Sequence, residues 1–188
     1  MKKVLAFDFG ASTGRAIKAT FDGKTIVYEE IHRFENTPKN VDGHVCHDVD
    51  MIFSEIKEAI DKAGKLDSIA FDTWGVDYAL LDKEGRIIHE PYHYRDERTK
   101  NALEKAFSKM SAEDIYAETG NQIMNINTLF QLISDENLEK AHKLLFMPDL
   151  FSYLLTGERC VRFQLHLPHR CLTLKTEIGV KRYFQPSA

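Results

Sequence analysis

The sequence predicts a mixed α/β domain, and three patterns support this fold class. Residues 3–34 contain three short strand-like segments separated by glycine-containing turns, which indicates an antiparallel meander. One amphipathic helical repeat follows, and two further strand-like segments come after it. The second half of the chain has mostly helical spacing. Strands, a helix, more strands and then helices are typical of a layered domain with a mixed sheet.

Turn residues bound the strands of the opening meander. The first strand is short and apolar, the second alternates less cleanly, and the third is rich in β-forming residues. Asp22-Gly23, between the second and third strands, is a strong hairpin motif. Because the first turn leads into another strand and not into a helix, a dinucleotide-binding βαβ unit is excluded. A polar loop is expected at Asn36–Asp48. The three strands are predicted at Lys3–Phe9, Arg15–Phe21 and Thr25–Phe34.

A helix is predicted to begin after this loop and to end at Gly64. Asp48 or Asp50 is expected to cap it, because a short acidic side chain accepts from the free amides of the first turn. Two strands are expected next, at Ser68–Phe71 and Tyr78–Leu81. The later helices are predicted at Asp96–Met110, Ala112–Glu118, Ile126–Asp135, Leu138–Ala141 and Asp149–Thr156.

The composition excludes several classes of protein. The chain has 188 residues, 43% of them hydrophobic, so a packed core is expected and disorder is not. A net charge of -4 argues against a nucleic-acid surface, which needs clustered Lys and Arg. Neither a membrane-spanning run nor a signal peptide is recognisable, and three cysteines imply no disulfide framework. We therefore expect a cytoplasmic protein that binds neither nucleic acid nor membrane.

A carboxylate and a turn of small residues end the first predicted strand. Asp8 stands at the strand end, and its carboxylate could hold Mg²⁺ through water. Glycine lets the backbone approach an anion, and consecutive amides and hydroxyls can donate to phosphate oxygens. The alternative is an ordinary hairpin turn. The candidate phosphate-binding residues of the turn are Ala11, Ser12, Thr13, Gly14 and Arg15.

A second buried strand ends in the same way, at Asp72. The single tryptophan of the chain, Trp74, follows it and offers a flat face to a ring, while Gly75 and Asp77 come next. Carboxylates can accept from sugar hydroxyls. The alternative is a tryptophan that simply closes the core. Because strand ends on one sheet edge converge, we expect Asp8 and Asp72 to serve one ligand.

Two further groups of residues have candidate roles. Arg95 and Asp96 end an aromatic and charged segment that suits a hydroxyl-rich ligand, although Asp96 could also cap a helix. Cysteine and histidine side chains could ligate Zn²⁺ at two places in the sequence. More commonly, such histidines are buried in a core or exposed to solvent. The two zinc candidates are His44 with Cys46 and His47, and Cys160 with His166, His169 and Cys171.

Taken together, the motifs resemble those of the FGGY family of carbohydrate kinases, from about Lys3 to about Glu158. The resemblance implies an actin-like ATPase (ribonuclease H-like) fold with two domains and a cleft. It also implies ATP-dependent phosphorylation of L-rhamnulose at its 1-hydroxyl, with Ala11–Arg15 on the ATP phosphates, Asp8 near Mg²⁺ and Gly75 on the sugar. The motifs are Asp8–Arg15, Ile31–Phe34, Asp72–Asp77, Tyr94–Asp96, Asn127–Leu132, Met147–Asp149 and Leu155–Gly157.

The resemblance stops near Glu158, and this divides the chain. By the family pattern the proton-accepting Asp lies beyond residue 188, as does the adenine-binding domain. Residues 1–158 are thus expected to form a truncated sugar-kinase domain that is inactive alone. Residues 159–188 look like an out-of-frame tail, because a one-base shift yields family-like text. The open alternatives are a non-catalytic binding module, another actin-like ATPase, or an FGGY kinase for another ketose or polyol.

Overall fold

The computed structural model describes residues 1–159 of the chain. The zinc candidate at Cys160–Cys171 lies outside the described residues, as does the tail predicted to be out of frame, apart from Arg159. No helix within the described part is both long and apolar enough to cross a membrane.

Strands come first along the described chain and helices later, as predicted. The strands are β1 (Lys2–Phe9), β2 (Thr13–Phe21), β3 (Ile26–Glu35), β4 (Lys39–Val41), β5 (His44–Cys46), β6 (Ser68–Thr73), β7 (Tyr78–Leu81) and β8 (Lys143–Phe146). The helices are α1 (Val49–Ala63), α2 (Ala102–Phe107), α3 (Ala112–Thr119), α4 (Thr128–Ile133) and α5 (Met147–Thr156). Short 3₁₀ turns lie at Glu97–Thr99 and Leu138–Lys140.

The central sheet is mixed and has the order β3-β2-β1-β6. The first three strands form the predicted antiparallel meander, and the second hairpin turns at Asp22, whose Oδ1 accepts from the amides of Lys24 and Thr25 at 2.8 Å. β6 pairs with β1 in parallel. The predicted mixed sheet is therefore confirmed, and it brings the ends of β1 and β6 to one edge.

The core lies between one face of this sheet and helices α1 and α5. Alternate residues of β1, namely Leu5, Phe7 and Phe9, are buried against it. Phe7 stacks on Phe71 of β6 with a centroid distance of 4.9 Å, and Phe9 meets Phe151 of α5 edge-on at 5.4 Å. Because side chains alternate across a strand, Asp8 projects from the opposite face.

The predicted loop at Asn36–Asp48 contains a small hairpin, formed by β4 and β5. Its two-residue turn has both residues in the left-handed region, with φ of 53° at Asp42 and 86° at Gly43. Such a turn matches the natural twist of a hairpin, and Asp-Gly is its usual sequence. Asp42-Gly43 is therefore the motif that could have revealed this element.

The helical half departs from prediction in three places. The helix expected at Asp96–Met110 is replaced by a 3₁₀ turn and the short α2, because the backbone breaks at Asn101. The helix expected at Leu138–Ala141 is only a 3₁₀ turn. Strand β8 was not predicted. It is a short apolar run that pairs with β7, and such a run has no period that marks it as a strand.

Candidate active site

The turn after β1 is a tight hairpin with Ala11 and Ser12 at its tip. The Gly10 amide donates to the Thr13 carbonyl at 2.8 Å. Asn36 holds the turn from the side, because its Nδ2 donates to the Gly10 carbonyl and its amide donates to the Ser12 carbonyl, both at 2.9 Å. The amides at the tip lie outside the strand ladder, which is the arrangement that anion binding requires.

Asp8 lies between a cation and a second carboxylate. Arg15, opposite it in β2, donates through Nε and Nη2 to Oδ2 of Asp8 at 2.8 and 2.6 Å. On its other side Asp8 is in register with Asp72 of the parallel strand β6. Strands in a sheet are about 4.8 Å apart, and residues in register share a face. The prediction that Asp8 and Asp72 lie at one sheet edge is confirmed.

Gly14 has a packing reason to be glycine. It is buried in β2, in register with Phe9 on one side and Phe34 on the other. A Cβ added at Gly14 would overlap the ring of Phe34. The absent side chain therefore makes room for an aromatic ring on the core side of the turn.

Asp77, predicted to accept from a sugar, lies inside the protein. Its side chain is fully buried. Oδ2 accepts from His47 Nε2 at 2.6 Å, from the Trp74 indole at 2.9 Å and from the Tyr94 amide at 3.1 Å. Oδ1 accepts from Gln131 at 2.7 Å. Asp77 thus holds the groups around it, including the half-buried Trp74.

Asp96 is likewise buried, and it caps the 3₁₀ turn that follows. Its Oδ2 accepts from the Val45 amide at 2.8 Å, and its Oδ1 accepts from the Arg98 amide at 3.0 Å and contacts His44 Nδ1 at 3.1 Å. Burial by itself would raise the pKa of this carboxyl, but these donors outweigh burial and lower the pKa. The exposed neighbour Arg95 stacks over the Tyr94 ring at 5.3 Å.

An open cavity joins the phosphate-type turn to the Arg95 segment. Its volume is about 220 Å³. It is lined by Ala11, Ser12, Asn36, Thr37, Pro38, Val45, His93 and Arg95. Residues predicted on the phosphate side and on the sugar side therefore border one space.

His93 lines this cavity as a neutral imidazole. Burial lowers its pKa to about 4. The Arg95 amide donates to Nδ1 at 3.1 Å, so in the neutral ring Nε2 carries the proton. Among residues 1–159, Nε2 has no hydrogen-bond partner.

The zinc candidate at His44, Cys46 and His47 has other partners. His44 contacts Asp96, and His47 contacts Asp77. Burial raises the pKa of the Cys46 thiol to about 11, which disfavours the thiolate that a metal needs. The histidines here are structural members of the site.

Within the described part of the chain, the potential metal-ligand atoms of His32, Glu55 and Glu58 lie within 4.8 Å of one another. The ammonium of Lys62 lies 2.9 Å from His32 Nδ1 and 2.7 Å from Glu58. The chain itself therefore supplies the positive charge at this cluster.

Three residues that shape the site were not among the predicted site residues, although His93 and Gln131 lie in segments that the sequence singled out. Asn36 fixes the turn, His93 lines the cavity, and Gln131 binds Asp77. Asn36 and His93 could not have been placed, because their contacts span the fold. The sequence could have indicated a buried role for Gln131, because a polar residue among the apolar positions of a helix needs a hydrogen-bond partner.

Comparison with known proteins identifies the family of this chain. Residues 3–165 match the model of the FGGY family of carbohydrate kinases, N-terminal domain. Rhamnulokinase from Bacteroides thetaiotaomicron is 40% identical over 169 residues, which are 85% of this chain and 35% of that protein. Rhamnulokinase from Oceanobacillus iheyensis is 38% identical over 82% of this chain and 35% of that protein. The chain thus spans about a third of the length of these curated relatives.

Solved structures give the same fold at low sequence identity. Ligand-bound xylulose kinase from Lactobacillus acidophilus has a TM-score of 0.80 and 18% identity, over 97% of this chain and 39% of that chain. Plasmodium falciparum glycerol kinase with ADP has a TM-score of 0.72 and 14% identity, over 97% and 40%. The predicted actin-like fold is therefore confirmed, as a partial domain. Family match and fold together show that this chain belongs to the FGGY family of carbohydrate kinases.

Proposed function

We propose that this chain supplies the phosphate-side and sugar-side residues of an ATP-dependent kinase that phosphorylates L-rhamnulose at its 1-hydroxyl. The observation that carries the proposal is the register of Asp8 with Asp72 at one sheet edge. A cavity lined by Ala11, Ser12 and Arg95 supports it, because residues assigned to the phosphate and to the sugar border the same space. The relatives named rhamnulokinase, at 38–40% identity, support this sugar over the substrates of other FGGY kinases. In this proposal the chain alone is inactive, because the proton-accepting Asp of the family is not among its residues.

On the phosphate side, the turn Ala11–Arg15 binds ATP phosphates. The two tip amides and the hydroxyls of Ser12 and Thr13 donate to phosphate oxygens. The donor set at Asp8 fits Mg²⁺, because Arg15 occupies only Oδ2 and leaves an oxygen for a metal-bound water. The ion, when bound, neutralises charge on the transferring phosphoryl group.

On the sugar side, four residues contact the sugar directly in this proposal: Asp72, Trp74, Gly75 and Arg95. Asp77 and Asp96 act through the groups they hold, because their own oxygens are taken by internal donors. Their predicted role at the sugar is therefore one of positioning. Phosphoryl transfer depends on such positioning and on charge neutralisation more than on covalent chemistry.

A coupled ADP-release assay tests the proposal. The 188-residue chain should show no turnover with L-rhamnulose, whereas a version with the reading frame restored after Glu158 should show it. Xylulose, gluconate and glycerol, which the names of the structural neighbours give, serve as the comparison panel. A restored enzyme that prefers another member of the panel would overturn the choice of sugar. Turnover by the 188-residue chain itself would overturn the requirement for the missing Asp.

A further inference from the structure

We propose that Gln131 and Arg98 are positioning residues that fix the indole of Trp74, so that Trp74 meets a ligand through carbon atoms only. The part of this inference that concerns the sugar rests on the proposed function. The part that concerns the placement of the indole does not.

Asp77 is the point at which the positioning contacts meet. Its buried carboxylate accepts three hydrogen bonds on Oδ2, from His47, Trp74 and the Tyr94 amide, and one on Oδ1 from Gln131. A buried carboxylate is costly unless its oxygens are satisfied, so these four donors hold it in one place. The Trp74 indole, 2.9 Å away, is oriented by whatever orients Asp77.

Gln131 orients Asp77, and its own amide has only one possible direction. Oε1 accepts from Arg98 Nη2 at 2.8 Å, so Nε2 must face the opposite way. There its two hydrogens face three acceptors: Asp77 Oδ1 at 2.7 Å, the Ile126 carbonyl at 2.9 Å and, as the longest and shared contact, the Val76 carbonyl at 3.2 Å. Gln131 is fully buried. It lies between the Arg98 guanidinium and the Asp77 carboxylate and hydrogen-bonds to both.

Arg98 begins the series of hydrogen bonds that runs through Gln131 and Asp77 to Trp74, and its own position is fixed by several contacts. Its side chain is 6% exposed, and Nη1 donates to the backbone carbonyl of Gln131 at 2.7 Å. The guanidinium lies over the Tyr92 ring at 4.1 Å, and its Nε is 4.0 Å from Asp96 Oδ1. A planar guanidinium held on a ring and on a forked pair of acceptors has little freedom to move.

The consequence for Trp74 is chemical. Its indole N–H, the only polar group of the side chain, already donates to Asp77. One face of the indole stacks on His47 at a centroid distance of 4.5 Å. A ligand can therefore meet only the remaining face or edge, which are carbon. Trp74 contributes an apolar contact to the carbon skeleton of a sugar and no hydrogen bond to its hydroxyls.

The indole N–H gives a direct test, because Trp74 is the only tryptophan of the chain and yields one ¹H–¹⁵N indole cross-peak. In the 188-residue chain the proton should exchange slowly with solvent. Gln131→Glu places a carboxylate against Asp77, so it should shift the cross-peak and speed exchange by about tenfold, as expected for one lost charge-assisted bond. Gln122→Glu, at an exposed position, is the matched control and should change neither. Exchange at the free-indole rate in the unaltered chain would overturn the proposal.

Titration with L-rhamnulose, followed by Trp74 fluorescence, tests the sugar part. The Kd should rise about tenfold in Gln131→Glu and stay unchanged in Gln122→Glu. Arg98→Lys, which keeps the charge but loses the fork, replaces Gln131→Glu if the latter does not fold. A shifted cross-peak with an unchanged Kd would show a merely structural role and overturn the positioning claim. If the unaltered chain binds no ketose, the failure falls on the proposed function, and the indole measurement still decides the placement of Trp74.

Discussion

At the scale of single residues, packing determines the phosphate-type turn as strongly as ligand chemistry does. Gly14→Ala would push a methyl group into the Phe34 ring, whereas the same change at Gly10 meets only the Thr13 carbonyl at 3.5 Å. We expect Gly14→Ala to lower the free energy of unfolding by about 1–3 kcal/mol, measured by urea denaturation. Gly10→Ala is the control and should be nearly neutral.

A second change checks the reason for that loss. Phe34→Leu, combined with Gly14→Ala, provides space for the added methyl group and should recover part of the lost stability relative to the two single changes. Strict additivity of the two single changes would show that the ring is not the cause.

His93 predicts an acid-sensitive stability at the same scale. Its pKa is about 4 in the folded chain, below its ordinary value of 6.5, mainly through burial. The unfolded chain therefore takes up the proton first. Stability from this group is complete above about pH 6.5 and falls toward pH 4, by at most about 1.4 kcal/mol per pH unit.

Thermal unfolding between pH 4 and pH 7.5 measures this effect. His93→Asn, whose Oδ1 can replace Nδ1 as the acceptor for the Arg95 amide, should flatten the decline toward low pH. His142→Asn, at an exposed position, should leave it as it is. Parallel curves for His93→Asn and the unaltered chain would contradict the assignment.

Motif residues could be predicted from the sequence at this scale, but their partners could not. Asp8 and Asp72 were identifiable because each ends a short apolar strand. That Asp77 faces inward depends on Gln131, which is 54 residues away in the chain and comes close only through the fold. The sequence shows only that a carboxylate lies close to a tryptophan. It does not distinguish a carboxylate that faces a ligand from one that faces the core.

At the scale of elements, Asp48 and Asp50 were predicted as alternative N-terminal caps of helix α1, and the structure shows which of them is the cap. Asp48 caps α1, since its Oδ1 accepts from the Met51 amide at 3.2 Å and also contacts Lys39 at 3.1 Å. Asp48→Ala should cost about 1 kcal/mol of stability in chemical denaturation. Asp50→Ala, in the first turn but exposed, should cost clearly less. Equal losses would mean that general charge at the helix start, and not the cap, provides the stability.

Elements with a strong period or with definite turn residues at their ends were predictable, including the four-residue strand β7, whereas two other short elements were missed. Helix α1 and strand β1 have clear apolar spacing, and definite turn residues mark the ends of β2 and β3. Strand β8 and the hairpin β4-β5 are too short to show a period, and they form because a partner strand is available. The segment after Asp96 breaks up because Asp96 and Arg98 bind across the fold and not along a helix.

At the scale of the whole molecule, the extent of the family resemblance is the main observation. The family match ends at residue 165, and the chain spans about a third of the length of its curated relatives. A one-base shift gives family-like text for the residues after Glu158, so we predict that the gene has such a shift near the codons for Gly157–Cys160. Resequencing should find a long open frame once one base is added or removed there, with family-like sequence following Glu158. A gene with no such frame would contradict this prediction.

Kinetic measurements on the frame-restored enzyme are the most direct test of the shared sheet edge. They show whether Asp8 acts on the phosphates and Asp72 on the sugar within one site. Asp8→Asn should lower kcat by about a hundredfold, through weakened charge neutralisation at the phosphates, with little change in the KM for L-rhamnulose. Asp72→Asn should raise the KM for L-rhamnulose about tenfold and leave the KM for ATP unchanged. If Asp72→Asn leaves the KM for the sugar unaltered, or if both changes affect only ATP, the shared-edge account is wrong.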